Sequence, residues 1–240
     1  MSTTVHKAIP PIVATLFLLL AGCASTAVDT SPTRDRLEVT ISERAHLEYF
    51  DSLIPIAPDS VIELYNQCPP ERFHERYRGQ MAFVTALIDS FNQTVDYAYT
   101  IDTLNISHSL TDFAEAGQSG KTLFISSSYF MLFNDHGIFR SLLTHEFGHI
   151  HYRMLDSVAL AQTALLWERL QETALFYLFR DGEYSGNAKF GGHPEDRPSE
   201  LFASAYNLVR NRPDELRARF NYVNSAHLPL LSRVVALVAH

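Results

Sequence analysis

Apolar residues recur every three or four positions along most of this chain, the period of one helix face. Phe73, Tyr77, Met81, Val84 and Ile88 share one side of a predicted helix over Glu71 to Phe91, with Gly79 as its weak point. Ile138, Leu142, His145, His149 and Tyr152 repeat the spacing, as do Phe139, Leu143, Phe147 and Ile150. Asn134 or Asp135 is a suitable N-cap for that second helix. A third helix is predicted over Ser157 to Phe179, stopped by Asp181-Gly182, and a fourth over Ser199 to Asn211, capped by Ser199. Another starts at Pro213, and an apolar one runs from Leu228 to Ala239, too short to cross a bilayer. Upstream, helical patterning begins near Glu38, with candidate helices at Ser42 to Leu53 and Asp59 to Gln67 separated by prolines. Two stretches break the helical period. Asp96 to Ile106 is aromatic and β-branched with partial alternation, and Thr122 to Ser126 is a short apolar run; both predict strands. Gly186 to Pro198 is a polar loop. The expected fold class is α+β, mostly helical, with a small sheet beside the second helix.

The N-terminus does not belong to that fold. Met1 to Lys7 is polar and weakly positive, and Ile9 to Leu20 is apolar but too short for a bilayer. It leads into Leu20-Ala21-Gly22-Cys23, which resembles the lipobox of bacterial lipoproteins. The resemblance implies a signal peptide over 1–22 and a lipid on Cys23. It also implies the outer membrane, facing the periplasm, because no Asp follows the Cys. Residues 23–36, rich in Ser, Thr, Asp and Pro, read as a flexible tether, leaving 37–240 as one domain. Cys68 is the only other cysteine, so a lipidated Cys23 leaves no intramolecular disulfide. The net charge is −8 with no basic cluster, which argues against nucleic acid as a partner.

The chemistry concentrates at His145-Glu146-Phe147-Gly148-His149, an H-E-x-x-H pattern inside the second helix. Residues four apart lie on one helical face, so His145 and His149 can aim two imidazoles at one metal ion. Glu146 is rotated about 100° from His145, within reach of water at the metal without being a ligand. Two neutral nitrogens beside a carboxylate suit zinc and hydrolysis.

A catalytic zinc site needs a third protein ligand and an open position. Glu168, Glu172 and Glu200 are the candidates. The first two have the look of solvent-facing charges on an amphipathic helix. Glu200 opens a helix and is followed at i+3 and i+4 by Ala203 and Ser204, small enough for close approach to the histidine helix. Glu200-Leu201-Phe202-Ala203-Ser204-Ala205-Tyr206, with the earlier His-Glu-Phe-Gly-His, resembles the gluzincin metallopeptidases. It is nearest to the catalytic domain of anthrax lethal factor and its relatives. The order of strand and helices also resembles periplasmic gluzincins that handle misfolded envelope proteins. The resemblance covers roughly residues 96–210.

It implies a zincin-like peptidase domain with zinc on His145, His149 and Glu200, and Glu146 as base. His193 stands where lethal factor has a tyrosine that stabilises the oxyanion, a hydrogen bond histidine can also donate. Many relatives carry an acidic residue four after the zinc Glu to orient a zinc histidine; Ser204 is there in this chain, so that bond is expected to be weak or absent. The expected partners are a peptide or protein substrate and, through Cys23, a membrane. Thr122 to Ser126 is expected to be an edge strand on which a substrate pairs. Two other functions fit the same motifs: a metal-binding lipoprotein acting as a non-catalytic assembly factor, and a zinc amidase directed at peptidoglycan.

Overall fold

The helices form where the apolar spacing places them, and their ends are set by prolines and local caps. A computed structural model describes residues 38–39, 70–107, 114–116, 121–126, 136–182, 184–185, 188–189 and 193–239. The signal segment, Cys23, Cys68, the candidate helices before Pro70 and the cap residues Asn134 and Asp135 lie outside these. Helix α1 spans Pro70–Asn92, α2 His136–Met154, α3 Ser157–Thr173, α4 Pro198–Asn211, α5 Pro213–Phe220 and α6 Leu228–Val238. None of the described helices is long and apolar enough to cross a membrane.

The strands are β1 (Glu38–Val39), β2 (Thr103–Ser107), β3 (Ala114–Ala116) and β4 (Thr122–Ser126). They form one sheet in the order β1-β2-β4-β3, with β3 antiparallel and the other pairs parallel. Leu104 and Ile106 stand in register with Leu123 and Ile125, and all four are fully buried. Their alternation with half-buried Thr103, Asn105, Thr122 and Phe124 is the period-two pattern of a sheet with one face on the core. A second antiparallel pair, β5 (Tyr184–Ser185) and β6 (Ala188–Lys189), forms a separate ribbon.

Six expectations need correction. Ala188–Lys189 is a strand inside the Gly186 to Pro198 stretch expected to be a loop. Glu38–Val39 pairs as a strand with β2 instead of starting a helix. Only the second half of Asp96 to Ile106 is strand; Tyr97–Tyr99 is a 3-10 turn, and Asn92 holds the chain there through bonds to and from Ile101 at 2.8 Å each. β4 is not an edge: it lies between β2 and β3. The helix from Ser157 stops at Thr173, where Ala174 turns left-handed (φ 54°). A 3-10 segment, Phe176–Phe179, then buries Phe176, Leu178 and Phe179, so the apolar pattern outlasts the helix. Lastly, α4 is opened by Arg197 and Pro198, not by Ser199. Proline at the first helical position lacks only an N–H that has no intrahelical partner, and it forces the preceding residue to be extended.

The core gathers one face of each long helix around the buried side of the sheet. Phe139, Leu143, Ile88, Leu170 and Phe179 are fully enclosed. Burying each large apolar side chain stabilises the fold by about 1.5–3 kcal/mol. Phe147 stacks on Phe91 with ring centroids 4.3 Å apart, fixing α2 against α1. α2 also packs along α4, at a closeness only glycine permits. A Cβ on Gly148 would stand 2.7 Å from Ala203 Cα and 3.1 Å from its carbonyl oxygen. Both are backbone atoms, so one helix would have to move. Gly148→Ala is therefore expected to destabilise the protein by about 1–3 kcal/mol and to weaken metal binding, as Glu200 on α4 retreats from α2. Denaturant unfolding and a metal titration on the same variant check both parts; wild-type values in both would refute the contact's role.

Candidate metal centre

His145 and His149 project from one face of α2 with their rings nearly perpendicular (82°). Glu200, in the first turn of α4, reaches between them across the Gly148–Ala203 contact. Its Oε2 lies 3.2 Å from His145 Nε2 and 3.4 Å from His149 Nε2. The three ligand atoms fall within 4.8 Å of one another, and this group could bind a metal ion. The separations suit that use. Ligands about 2.1 Å from a tetrahedral centre stand roughly 3.4 Å apart. His145 is buried, and His149 and Glu200 are mostly so.

The structure brings together three of the residues the sequence singled out as ligands and sets the rival carboxylates apart. Glu168 and Glu172 are exposed on α3, and Glu172 pairs with Arg169 at 3.0 Å. Glu146 is buried beside His145 and feels the charges of Arg153 and Arg197. His193 is exposed in the turn before α4, where its carbonyl accepts from the Asp196 N–H. Its ring is not one of the converging groups.

The orienting carboxylate expected to be weak or missing is present, supplied from elsewhere in the chain. Asp181 Oδ2 lies 3.0 Å from His145 Nδ1. With that nitrogen donating to Asp181, Nε2 is turned toward the ligand cluster, the arrangement that fixes a metal-binding histidine. Ser204 is fully buried, and its hydroxyl makes no hydrogen bond of good geometry, though it helps keep Asp181 ionised. Asp181 is itself held from several sides. Asn207 Nδ2 donates to it at 2.6 Å and also to Ser141 Oγ at 2.8 Å. Arg212 donates to the Asp181 carbonyl, and Arg219 Nη1 to the carbonyls of Leu178 and Arg180 at 2.8 Å. Arg212 just before α5 and Arg219 in its last turn thus pin the segment that orients His145.

Asp181, Asn207, Arg197 and Gly148 were not singled out by motif. Asp181 looks like a helix stop in the sequence, and its partner His145 lies 36 positions away. Asn207 carried a readable signal: Glu200, Ser204, Asn207 and Asn211 are polar residues at helical spacing in a helix otherwise apolar on that side.

Charge completes the picture. Burial alone would push the His145 pKa down; the Asp181 carboxylate outweighs it, with help from Glu200 and Glu146, and raises it well above the ordinary histidine value. Burial would likewise raise Glu200, but hydrogen bonds and charge from His145 and His149 hold it far below the carboxylate range. Carboxylates facing both nitrogens of one ring favour its protonated form. A folded-state histidine pKa raised above its unfolded value stabilises fully below the unfolded pKa, and the contribution fades as pH rises through the folded pKa. A metal ion must displace the same proton. The metal-free protein is thus expected to lose stability as pH rises through the raised His145 value, while metal affinity increases over that range. Unfolding and metal titrations across pH check this; an affinity that is flat or falls with rising pH in that window would be the contrary result.

Comparison of the chain with protein-family models, with curated proteins and with solved structures finds no match.

Proposed function

We propose that this chain is a zinc metallopeptidase, anchored in the bacterial envelope by a lipid on Cys23 and acting on protein substrates there. One observation carries the reading: His145, His149 and Glu200 converge, with Glu200 Oε2 3.2 and 3.4 Å from the two histidine nitrogens, and Glu146 lies buried beside them without being one of the three. A site that only held metal for structure would have no use for that fourth group. Two imidazole nitrogens and one carboxylate oxygen are a donor set that suits zinc. Bound there, zinc would supply Lewis acidity toward a peptide carbonyl and bring the pKa of water to about 7.

The chain's own residues supply the rest. Glu146 accepts the proton of the attacking water and returns it to the leaving amine nitrogen. Asp181 keeps the His145 ring in one orientation and one tautomer. Among the described strands, β3 has a neighbour on one side only and lies against α2. An extended peptide added alongside it would lie close to α2, recognised by main-chain hydrogen bonds more than by side chains. That suits a role in clearing misfolded envelope proteins. No step is assigned to His193.

Metal analysis of the purified protein, with cleavage assays on an unfolded protein and on muropeptides, tests the function. Bound zinc with cleavage of the unfolded protein is expected. Muropeptide cleavage alone, or zinc without any hydrolysis, would replace the reading with an amidase or a binding factor. For the anchor, Cys23→Ser is expected to abolish incorporation of radiolabelled palmitate; undiminished labelling would remove the lipoprotein assignment.

A further inference from the structure

Arg197 is an unusual residue to open a helix. The favoured openers carry a side-chain oxygen that accepts a free backbone N–H, and arginine has no acceptor. No side-chain cap forms here. The guanidinium turns instead onto Glu200, with Nε at 3.1 Å and Nη2 at 2.7 Å, both donating to Oε1. The other oxygen, Oε2, faces His145 and His149. One carboxylate is thus divided: one oxygen for a guanidinium, the other for the ligand cluster. Local structure enforces the division. Arg197 precedes Pro198 and is fully extended (φ −163°, ψ 162°), as a residue before proline must be. The spacing of three then lays the guanidinium across the first turn, over Glu200.

We propose that Arg197 is a positioning residue that restricts Glu200 to a single-oxygen bond with the metal, so that one coordination position stays open for the reaction. A carboxylate free to bind through both oxygens would add a fifth donor beside the water at that position and crowd the substrate out of it, and catalytic sites keep it open. The inference rests on the metallopeptidase reading. Folding asks less of Arg197 than of its partner: its own side chain is 66% exposed and buries little apolar surface, whereas Glu200 is 12% exposed. Its removal should leave the fold intact, which makes the role accessible to experiment.

The test loads the full-length protein with cobalt(II) and compares visible absorption in wild type, Arg197→Met and Arg197→Lys. Four-coordinate cobalt absorbs several-fold more strongly than five-coordinate cobalt. Wild type is expected to show the intense bands. Arg197→Met is expected to lose them several-fold as Oε1 joins the metal, with cobalt affinity kept within about tenfold. Its kcat should fall by about tenfold or more with KM unchanged. Arg197→Lys keeps a donor for Oε1 and should recover most of the intensity. Cobalt uptake with a wild-type spectrum in Arg197→Met would overturn the positioning role alone. No cobalt uptake by the wild type would overturn the metal centre, and this role with it.

Discussion

Glu146→Gln is expected to lower peptide hydrolysis by about 10²–10⁴-fold while leaving the metal content at the wild-type level. The amide keeps the size and the buried location of the carboxylate but cannot accept a proton from water. Because Glu146 is not among the converging ligand atoms, the metal has no reason to leave. The two readouts belong together: zinc per chain, and turnover of an unfolded protein. Loss of both would mean that Glu146 holds the metal or the fold. Retention of both would remove the proposed base and the hydrolytic scheme with it.

Glu200→Ala is expected to weaken metal binding by at least about 10–100-fold, the loss typical of removing a partner one shell further out. Two histidines from one helix remain, and the charge that balances the cation is gone. Glu168→Ala and Glu172→Ala are the controls. Both side chains are exposed, and the Arg169 pair made by Glu172 is a surface contact of small worth. Competition with a chelator of known affinity ranks the three variants. If Glu168→Ala or Glu172→Ala releases the metal while Glu200→Ala keeps it, the site is closed from α3 and not between α2 and α4.

What the sequence made legible here is local. The five-residue motif on a helical face, the small residues after Glu200 and the apolar periodicity of α1 and α2 all rest on spacings within a few turns. Each has its counterpart in the fold. What it hid depends on distance or on competition between short-range signals. The Asp181–His145 pair spans 36 positions and has no periodicity to announce it. β4 reads as an edge because only its own alternation is visible; its neighbour β3 is three residues long, too short to stand out. Ser199 is the better capping residue by side chain, but Pro198 outranks it by fixing the backbone one step earlier. The run from Ser157 to Phe179 keeps its apolar rhythm through a left-handed Ala174, so burial persists where the helix does not.

The Gly148–Ala203 contact changes what the motif means as a text. In the general pattern, the two middle letters of H-E-x-x-H are wild cards. In this chain neither is free. Phe147 is committed to its stack on Phe91, and Gly148 to the backbone of α4. Anyone grafting this site onto another helical scaffold must therefore transplant five specified letters, together with an alanine on the opposing helix. A search that accepts any residue at the fourth letter will collect helices that display two histidines but hold the third ligand out of reach.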